Sequence, residues 1–578
     1  MKNGIVDTGI MKLKNNFTIW ILIFIALGAY AITTRIWVAE DAYISFRYIL
    51  NIFSGKGLVF NEGEYVEGFT HPYWLLLVSI LHFSGIHFHK GSIILGLLLS
   101  LSSIFIYLLS SIKKENYIFV FPAILISHEG FRDFATSGLE VSFTLFMLTI
   151  LLSMTYGKEL GSPFSLGAVV SILYHTRPEM GLLIPFYFFW KIYEKKKLDF
   201  TWVFRFGLSI LIFAVLYHIF RYIYFNDFFP NTFYAKSGAK SRYYDGFKYL
   251  FHFLFYSKFF LMSVLLIVGL FLYKIKNNKL SKDYLIPWRE IILAIFVSHY
   301  VIRVGGDFMG FRLLLPYFFI LLYCISNFLN DYLIIGIDKK YILYTNIILL
   351  TISIFLVIEK SNYPMVDRTG IVNERKVYTK GIYNNNWEIF EGIRHDWFKR
   401  GLELKKLQSC LDKKDFIITN SITEAKCNKD GFGLGYFSVA AGVNVKVIDE
   451  LGLTDREIAK SGRKSAHERV GHERSISLDE VISRRTIFCS LDDERYDKIM
   501  STEFGVLLRI DQDFLDTFSK EEYESKIKGL KTLKSSLTEP KSDKDIILLK
   551  RLNQLEKIFQ QDINDLRESN HSAGECWK

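Results

Sequence analysis

Apolar stretches of membrane-spanning length recur from residue 17 to about residue 358 and then stop. A helix needs roughly 20 apolar residues to cross the hydrocarbon of a bilayer. A chain with this recurrence must therefore fold first as a bundle of spanning helices. The 578 residues are 50% hydrophobic and 16% aromatic, which makes a wholly water-soluble protein a poor fit. Length alone would suggest roughly three or four globular domains. The hydropathy pattern instead divides the chain into a membrane domain, 1–360, and a water-exposed segment, 361–578. Lys and Arg outnumber Asp and Glu by 70 to 59, a net +11. Much of that excess sits in short clusters between apolar runs, so it reads as a topology signal rather than as a nucleic-acid surface.

The run at 17–36 follows Lys2, Lys12 and Lys14 with no small-residue cleavage site after it. It reads as an uncleaved first span with the N-terminus in the cytoplasm. Further spans are expected near 92–112, 117–129, 138–156, 163–176, 180–192, 201–224, 250–273, 287–304, 311–330 and 341–358. The run at 72–86 is shorter than a perpendicular crossing requires and is expected to be interfacial or re-entrant. With that choice Lys113, Lys114, Lys195–Lys197, Lys274, Lys276, Lys339 and Lys340 all fall on the cytoplasmic side. The expected fold is thus an α-helical polytopic membrane protein of about eleven transmembrane helices, with a C-terminal extracytoplasmic α/β domain.

This topology gathers the unusual polar sequence on the outer face: WVAEDAYISFRY, EGFTHPYW, FRDFATSGLE, HTRPEMG, NDFFPNTFYAKSG and RVGGDFMGFR. Ionisable groups at a membrane boundary are expensive unless they have partners or serve a site. Solvation accounts for any one such residue; six loops together point to a site built from distant parts of the chain. Glu40 and Asp41 directly follow the first span. A carboxylate shielded there by aromatic rings can have its pKa raised and act as a general base on a hydroxyl. The plainer reading is a solvated pair marking the start of a helix.

Beyond residue 360 the composition turns rich in Lys, Glu and Asp. FIITN at 416–420 and VKVIDELG at 445–452 read as strands, and Thr454 with Glu457 as a helix cap. From about 520 onward the apolar residues fall at helical spacing. Cys410, Cys427, Cys489 and Cys576 lie in this segment and Cys324 in a span; Cys410 with Cys427 is a candidate disulfide outside the cytoplasm. HERVGHER at 467–474 places its histidines poorly for a metal and reads as a surface segment contacting the membrane domain. There is no Gly-rich phosphate loop or Rossmann fingerprint, so no nucleotide cofactor is expected.

The stretch EDAYISFRYILNIFSGKGLVFNEGEYVEGFTHPYW, 40–74, resembles the first-loop signature of polytopic GT-C glycosyltransferases. The likeness is strongest to the branch containing the mycobacterial terminal β-(1→2) arabinofuranosyltransferases. Shorter matches occur at TSGLE (136–140), TRPEMGLL (176–183), PNTFYAKSG (230–238), GGDFMGFRLLLP (305–316), 435–459 and GHER (471–474). The resemblance implies sugar transfer from a polyprenyl-phosphate donor to a hydroxyl of a cell-envelope glycan or glycolipid, at the extracytoplasmic face of the inner membrane, with inversion. It implies an acidic residue of the first loop as base, which maps to Asp41 or Glu40. Where the family often has two aspartates this chain has Glu then Asp, so Asp41 is the firmer match. The arabinosyl donor is less secure, because this Lys-, Asn-, Ile- and Phe-rich chain lacks the Ala- and Arg-heavy composition usual for the branch.

A departing lipid phosphate accumulates negative charge that a fixed cation stabilises. Arg grips phosphate through two parallel hydrogen bonds and Lys acts as a point charge. Candidate donor-phosphate or substrate contacts are Arg47, Arg177, Lys236, Arg303 and Arg312, with Glu140, Glu179 and Asp307 as alternative partners for those cations. His71 either assists proton transfer or caps the helix beginning at Pro72. A divalent metal on Asp41, His71, Glu140 and Asp307 is left open. The rival class is a transporter or flippase of lipid-linked glycans. Such folds often repeat paired broken helices, and the first-loop pattern has no second copy here.

Overall fold

The protein is described from a computed structural model. It covers residues 2–112, 116–157, 159–197, 199–236, 241–257, 288–334, 337–359, 363–379, 416–419 and 433–461, with a few single positions and short pieces between. The described residues are almost entirely helical. α1 (Lys2–Thr33) is followed by α2 (Glu40–Phe53), α3 (Pro72–Phe83), α4 (Phe88–Ser110), α5 (Val120–Ser127), α6 (Glu129–Phe134), α7 (Val141–Thr155) and α8 (Pro163–Tyr174). Then come α9 (Leu183–Lys195), α10 (Phe200–Ile210), α11 (Leu216–Phe225), α12 (Asn231–Lys236), α13 (Tyr243–Tyr256), α14 (Trp288–Arg303), α15 (Leu315–Phe328) and α16 (Lys339–Ile358). α17 (Glu374–Thr379), α18 (Leu434–Ala441) and α19 (Arg456–Lys460) complete the helices. β1 (Phe416–Thr419) and β2 (Val445–Ile448) form a parallel pair in which Phe416 faces Val445.

Among the described residues three helical segments are long and apolar enough to cross a membrane: Phe88–Ser110, Phe200–Phe225 and Lys339–Ile358. The second joins α10 and α11 through a π turn at Leu211–Val215. Shorter apolar helices occur at Phe17–Thr33, Pro72–Phe83, Val141–Thr155 and Pro163–Tyr174. The expected run at 72–86 is a 12-residue helix, roughly 18 Å long at 1.5 Å per residue, too short to cross the core alone. The expected span at 117–129 is broken into two short helices. It holds only the eight residues of α5, every one buried, before the chain restarts as α6. Its apolar side chains are packed on all sides, and a hydropathy window cannot distinguish contact with lipid from contact with protein. The helix predicted across 250–273 is described as α13, and the remainder of that run lies outside the described residues. The helical tail, Cys410, Cys427, Cys489 and Cys576 lie outside them as well, whereas Cys324 is a buried free thiol in α15.

A single hydrophobic core runs from Phe17 through the helices before residue 360 and on into Leu434, Phe437, Val439, Ala441, Val445 and Val447. The later segment therefore shares its core with the bundle. α2 packs against α18 more extensively than any other described pair of elements. Both strands predicted at 416–420 and 445–452 are present. The cap predicted at Thr454 is corrected to Asp455, whose carboxylate accepts the N–H of Ile458 at 2.9 Å. Thr454 instead gives its backbone N–H to Asp449, 2.9 Å away, which turns the chain before the helix starts.

Candidate functional site

The site is assembled at the ends of helices that are far apart in sequence. Asp41 stands in the first turn of α2, and a third of its side chain remains open. Glu140 precedes α7, and Arg177 and Glu179 flank the Pro178 turn before α9. Asp307 and Arg312 lie in the connection between α14 and α15. That connection needs glycine: Gly305 and Gly306 have φ of 95° and 76°, which disfavour any residue with a Cβ.

Arg312 is the hub. Its Nη2 lies 3.4 Å from each carboxylate oxygen of Glu140. Its Nη1 lies 3.8 Å from Asp41 and 4.0 Å from Asp307. Its Nε is buried and has no hydrogen-bond partner among the described residues. Glu140 also faces Nη1 of Arg177 at 3.4 Å and Nδ1 of His71 at 3.7 Å. Nε of Arg177 binds Glu179 at 2.7 Å, and the Tyr317 hydroxyl donates to the same oxygen at 3.3 Å. These charges are mutually compensated, which is the condition for keeping so many at low exposure.

Environment separates the acids. Burial alone would raise Glu140, but Arg312, His71 and Arg177 hold it down to about 2. Asp41 is raised above the ordinary aspartate range, chiefly by burial, against the pull of Arg312 and Lys236. His71 is lowered by burial and by the nearby Arg312 and Arg177, against the pull of Glu140. One acid is thus fixed as an anion while its more open neighbour keeps affinity for a proton, the kind of divergence that acid–base chemistry uses.

The remaining predicted residues divide. His71 occupies the N-cap position of α3 without bonding its backbone, so the capping role is corrected; its Nε2 shares a hydrogen bond of 2.9 Å with Ser45. Lys236 ends α12, is exposed, and is close enough for its charge to act on Asp41. Arg303 ends α14, is exposed, and forms no side-chain bond within the cluster. Arg47 is corrected as a phosphate contact. It is fully buried and donates to the carbonyls of Phe60, Ser438, Gly442 and Val445, with lengths of 3.2 Å to Phe60 and 2.7 Å to Ser438 and Val445. Glu40 is buried too, and its Oε1 accepts the backbone N–H groups of Gly435 and Tyr436, the latter at 3.0 Å. Burial and the adjacent Asp41 push it up to about 8 against those two bonds. Among the described residues no three His, Cys, Asp or Glu side chains converge on a cation site; the positive charge between Asp41, Glu140 and Asp307 is that of Arg312.

Sequence reasoning missed Ser45 and Tyr317, whose hydroxyls carry no pattern that sets them apart. It also missed Asn231 as a bridge between segments: its amide donates to the carbonyls of Gly452 and Leu453 at 2.7 and 3.0 Å. Arg474, the Arg of GHER, donates to the carbonyls of Tyr234 and Ala235 at 2.9 and 3.1 Å, beside Lys236. The later segment thus holds α12 from both ends.

No family model matches the chain, and no solved structure matches it. Two curated relatives do. The terminal β-(1→2)-arabinofuranosyltransferase of Corynebacterium glutamicum is 30% identical over 334 residues, covering 50% of this chain and 48% of the relative. The enzyme of the same name from Mycobacterium tuberculosis is 28% identical over 334 residues, covering 50% of this chain and 52% of the relative. The chain spans about half the length of these relatives. The likeness carried in sequence by the first loop is thus one to arabinofuranosyltransferases, the enzymes to which this membrane-helical chain is similar.

Proposed function

We propose that this protein is a GT-C membrane glycosyltransferase that moves a sugar from a polyprenyl-phosphate donor to a hydroxyl of a cell-envelope glycan or glycolipid. The observation that carries the reading is the carboxyl of Asp41, a third of its side chain open, 3.8 Å from the Arg312 guanidinium. Asp41 takes the proton of the acceptor hydroxyl, and the oxygen attacks the anomeric carbon. The bond from that carbon to the lipid phosphate breaks, and the electron pair leaves on the phosphate oxygen. The guanidinium of Arg312 and the ammonium of Lys236 stabilise that oxygen. A single displacement of this kind inverts the anomeric centre.

In this reading the bundle makes about eleven crossings of the inner membrane. The N-terminus is cytoplasmic, and the segment after residue 360 is an extracytoplasmic α/β domain. The names of the relatives make an arabinofuranosyl donor the first sugar to test. No nucleotide is required, because the carrier phosphate already activates the sugar, and a divalent metal is a separate question for a chelator titration.

The test compares cells carrying wild-type protein with cells carrying Asp41→Asn at equal membrane expression. Polyprenyl-phosphate sugars and surface glycans are profiled together by mass spectrometry. Build-up of one lipid-linked monosaccharide with loss of that sugar from one glycan supports the transferase and names both substrates. Unchanged profiles, where deleting the gene changes them, would remove Asp41 from the chemistry and favour transport of a lipid-linked glycan.

A further inference from the structure

Glu40 and Asp41 are adjacent in sequence and do opposite things in space. Asp41 faces the Arg312 cluster, whereas Glu40 turns into the packed face between α2 and α18. Its Oε1 meets the N–H groups of the second and third residues of α18, positions where a helix leaves backbone donors without internal partners. Two turns further along α2, Arg47 meets the other end. It binds the carbonyls of Ser438 and Gly442 in the last turn and C-cap of α18, and of Val445 where β2 begins. Seven residues separate Glu40 from Arg47, and seven separate Gly435 from Gly442. At 1.5 Å per residue both intervals are about 10 Å, so the two helices run side by side in register. The Glu40 carboxyl sits at the positive end of the α18 dipole and the Arg47 cation at its negative end.

The packing admits no looser version. A Cβ on Gly435 would run into the Glu40 carbonyl oxygen and lie 2.9 Å from Cβ of Tyr43. A Cβ on Gly433 would meet Oε1 of Glu40 at 2.6 Å and the ring of Trp397. The Tyr436 hydroxyl donates to the Val38 carbonyl at 3.0 Å, tying α18 to the residues just before the acidic pair.

We propose that Glu40 is a positioning residue: with Arg47 it grips α18 at both ends, and this grip sets the first turn of α2 and hence the direction of the Asp41 carboxyl. The inference rests on the reading of Asp41 as the base. It assigns the two acids of the first loop to different tasks, and it makes the segment after residue 360 a brace for the site. Gln can still accept both N–H groups through its amide oxygen, whereas Ala cannot.

The experiment uses the full chain purified in detergent, with Glu40→Gln, Glu40→Ala and Asp41→Asn beside the wild type. Amide hydrogen exchange is read on the peptide spanning 433–441, and transfer is read with polyprenyl-phosphate arabinofuranose and an arabinan oligosaccharide. Glu40→Gln is expected to keep the peptide protected and kcat within about threefold of wild type, with the acid limb of its pH profile in place. Glu40→Ala is expected to lose protection and about a hundredfold in kcat with donor KM little changed, since a misplacement near 1 Å has that cost. Asp41→Asn is expected to lose transfer with the peptide still protected. A Glu40→Gln enzyme as inactive as Asp41→Asn, with α18 protected, would overturn the positioning role and make Glu40 part of the chemistry. If the wild type transfers nothing, the transferase reading fails, and exchange alone decides the grip: protection surviving in Glu40→Ala would overturn it.

Discussion

The guanidinium of Arg312 and the carboxylate of Glu140 approach through one nitrogen and two oxygens, each 3.4 Å apart, with Glu140 almost wholly buried. The pair joins the loop before α15 to the start of α7, and it places one cation between an acid held ionised and the partly open Asp41. Charge in this site is therefore shared, and changing one member alters its neighbours.

Glu140→Gln should be the most damaging neutral substitution in the cluster. It leaves Arg177 and Arg312 facing an amide at low exposure, and stripping a buried pair of one partner costs about 3 kcal/mol or more. Thermal unfolding in detergent should show the loss. The sign with pH is set by the depressed carboxyl: the stabilisation is present above pH 4.5 and disappears as pH falls toward about 2. An unfolding temperature unchanged by Glu140→Gln at neutral pH would contradict the compensated cluster.

Transfer should fail on the acid side as Asp41 takes up a proton. Its raised pKa puts that limb above the range of a free aspartate. Arg312 is the largest charge pulling it down, so Arg312→Gln should move the limb to higher pH as well as slow the reaction. A limb that stays put, or moves lower, would mean another group is being titrated.

Lys236→Ala should weaken use of the donor, with kcat/KM falling about tenfold or more and the fold unaffected, because the side chain is exposed at the end of α12. Lys236→Arg should recover most of the loss. Equal donor kinetics in Lys236→Ala would take this cation away from the phosphate.

Gly435→Ala should displace α18 from α2, at a cost of about 1–3 kcal/mol for overpacking. Calorimetry or a thermofluor melt checks it. Gly207→Ala is the matched control, since nothing lies within 4 Å of a Cβ placed there.

Local chemistry made a good deal legible in advance. The long apolar runs at Phe88–Ser110, Phe200–Phe225 and Lys339–Ile358 announce themselves through length and composition. The short β-branched runs at 416 and 445 mark two strands, and Asp41, Glu140, Arg177, Asp307 and Arg312 stand out as charges beside apolar sequence. These signals lie within short windows, where periodicity and burial cost act directly on the residues read.

Only the folded chain could separate residues of equal appearance. Arg47 and Arg312 look alike as basic residues beside aromatic ones, yet one is consumed by four backbone carbonyls and the other faces the carboxylates of Asp41, Glu140 and Asp307. Glu40 and Asp41 are neighbours, yet consecutive residues of a helix are 100° apart around its axis, so one is turned into α18 and the other toward the charges. Which backbone groups need a partner depends on how helices distant in sequence meet, and no local pattern records that. The sequence by itself determined a helical membrane chain with a charged first loop; tertiary packing decided which of those charges holds the fold and which is left open to a substrate.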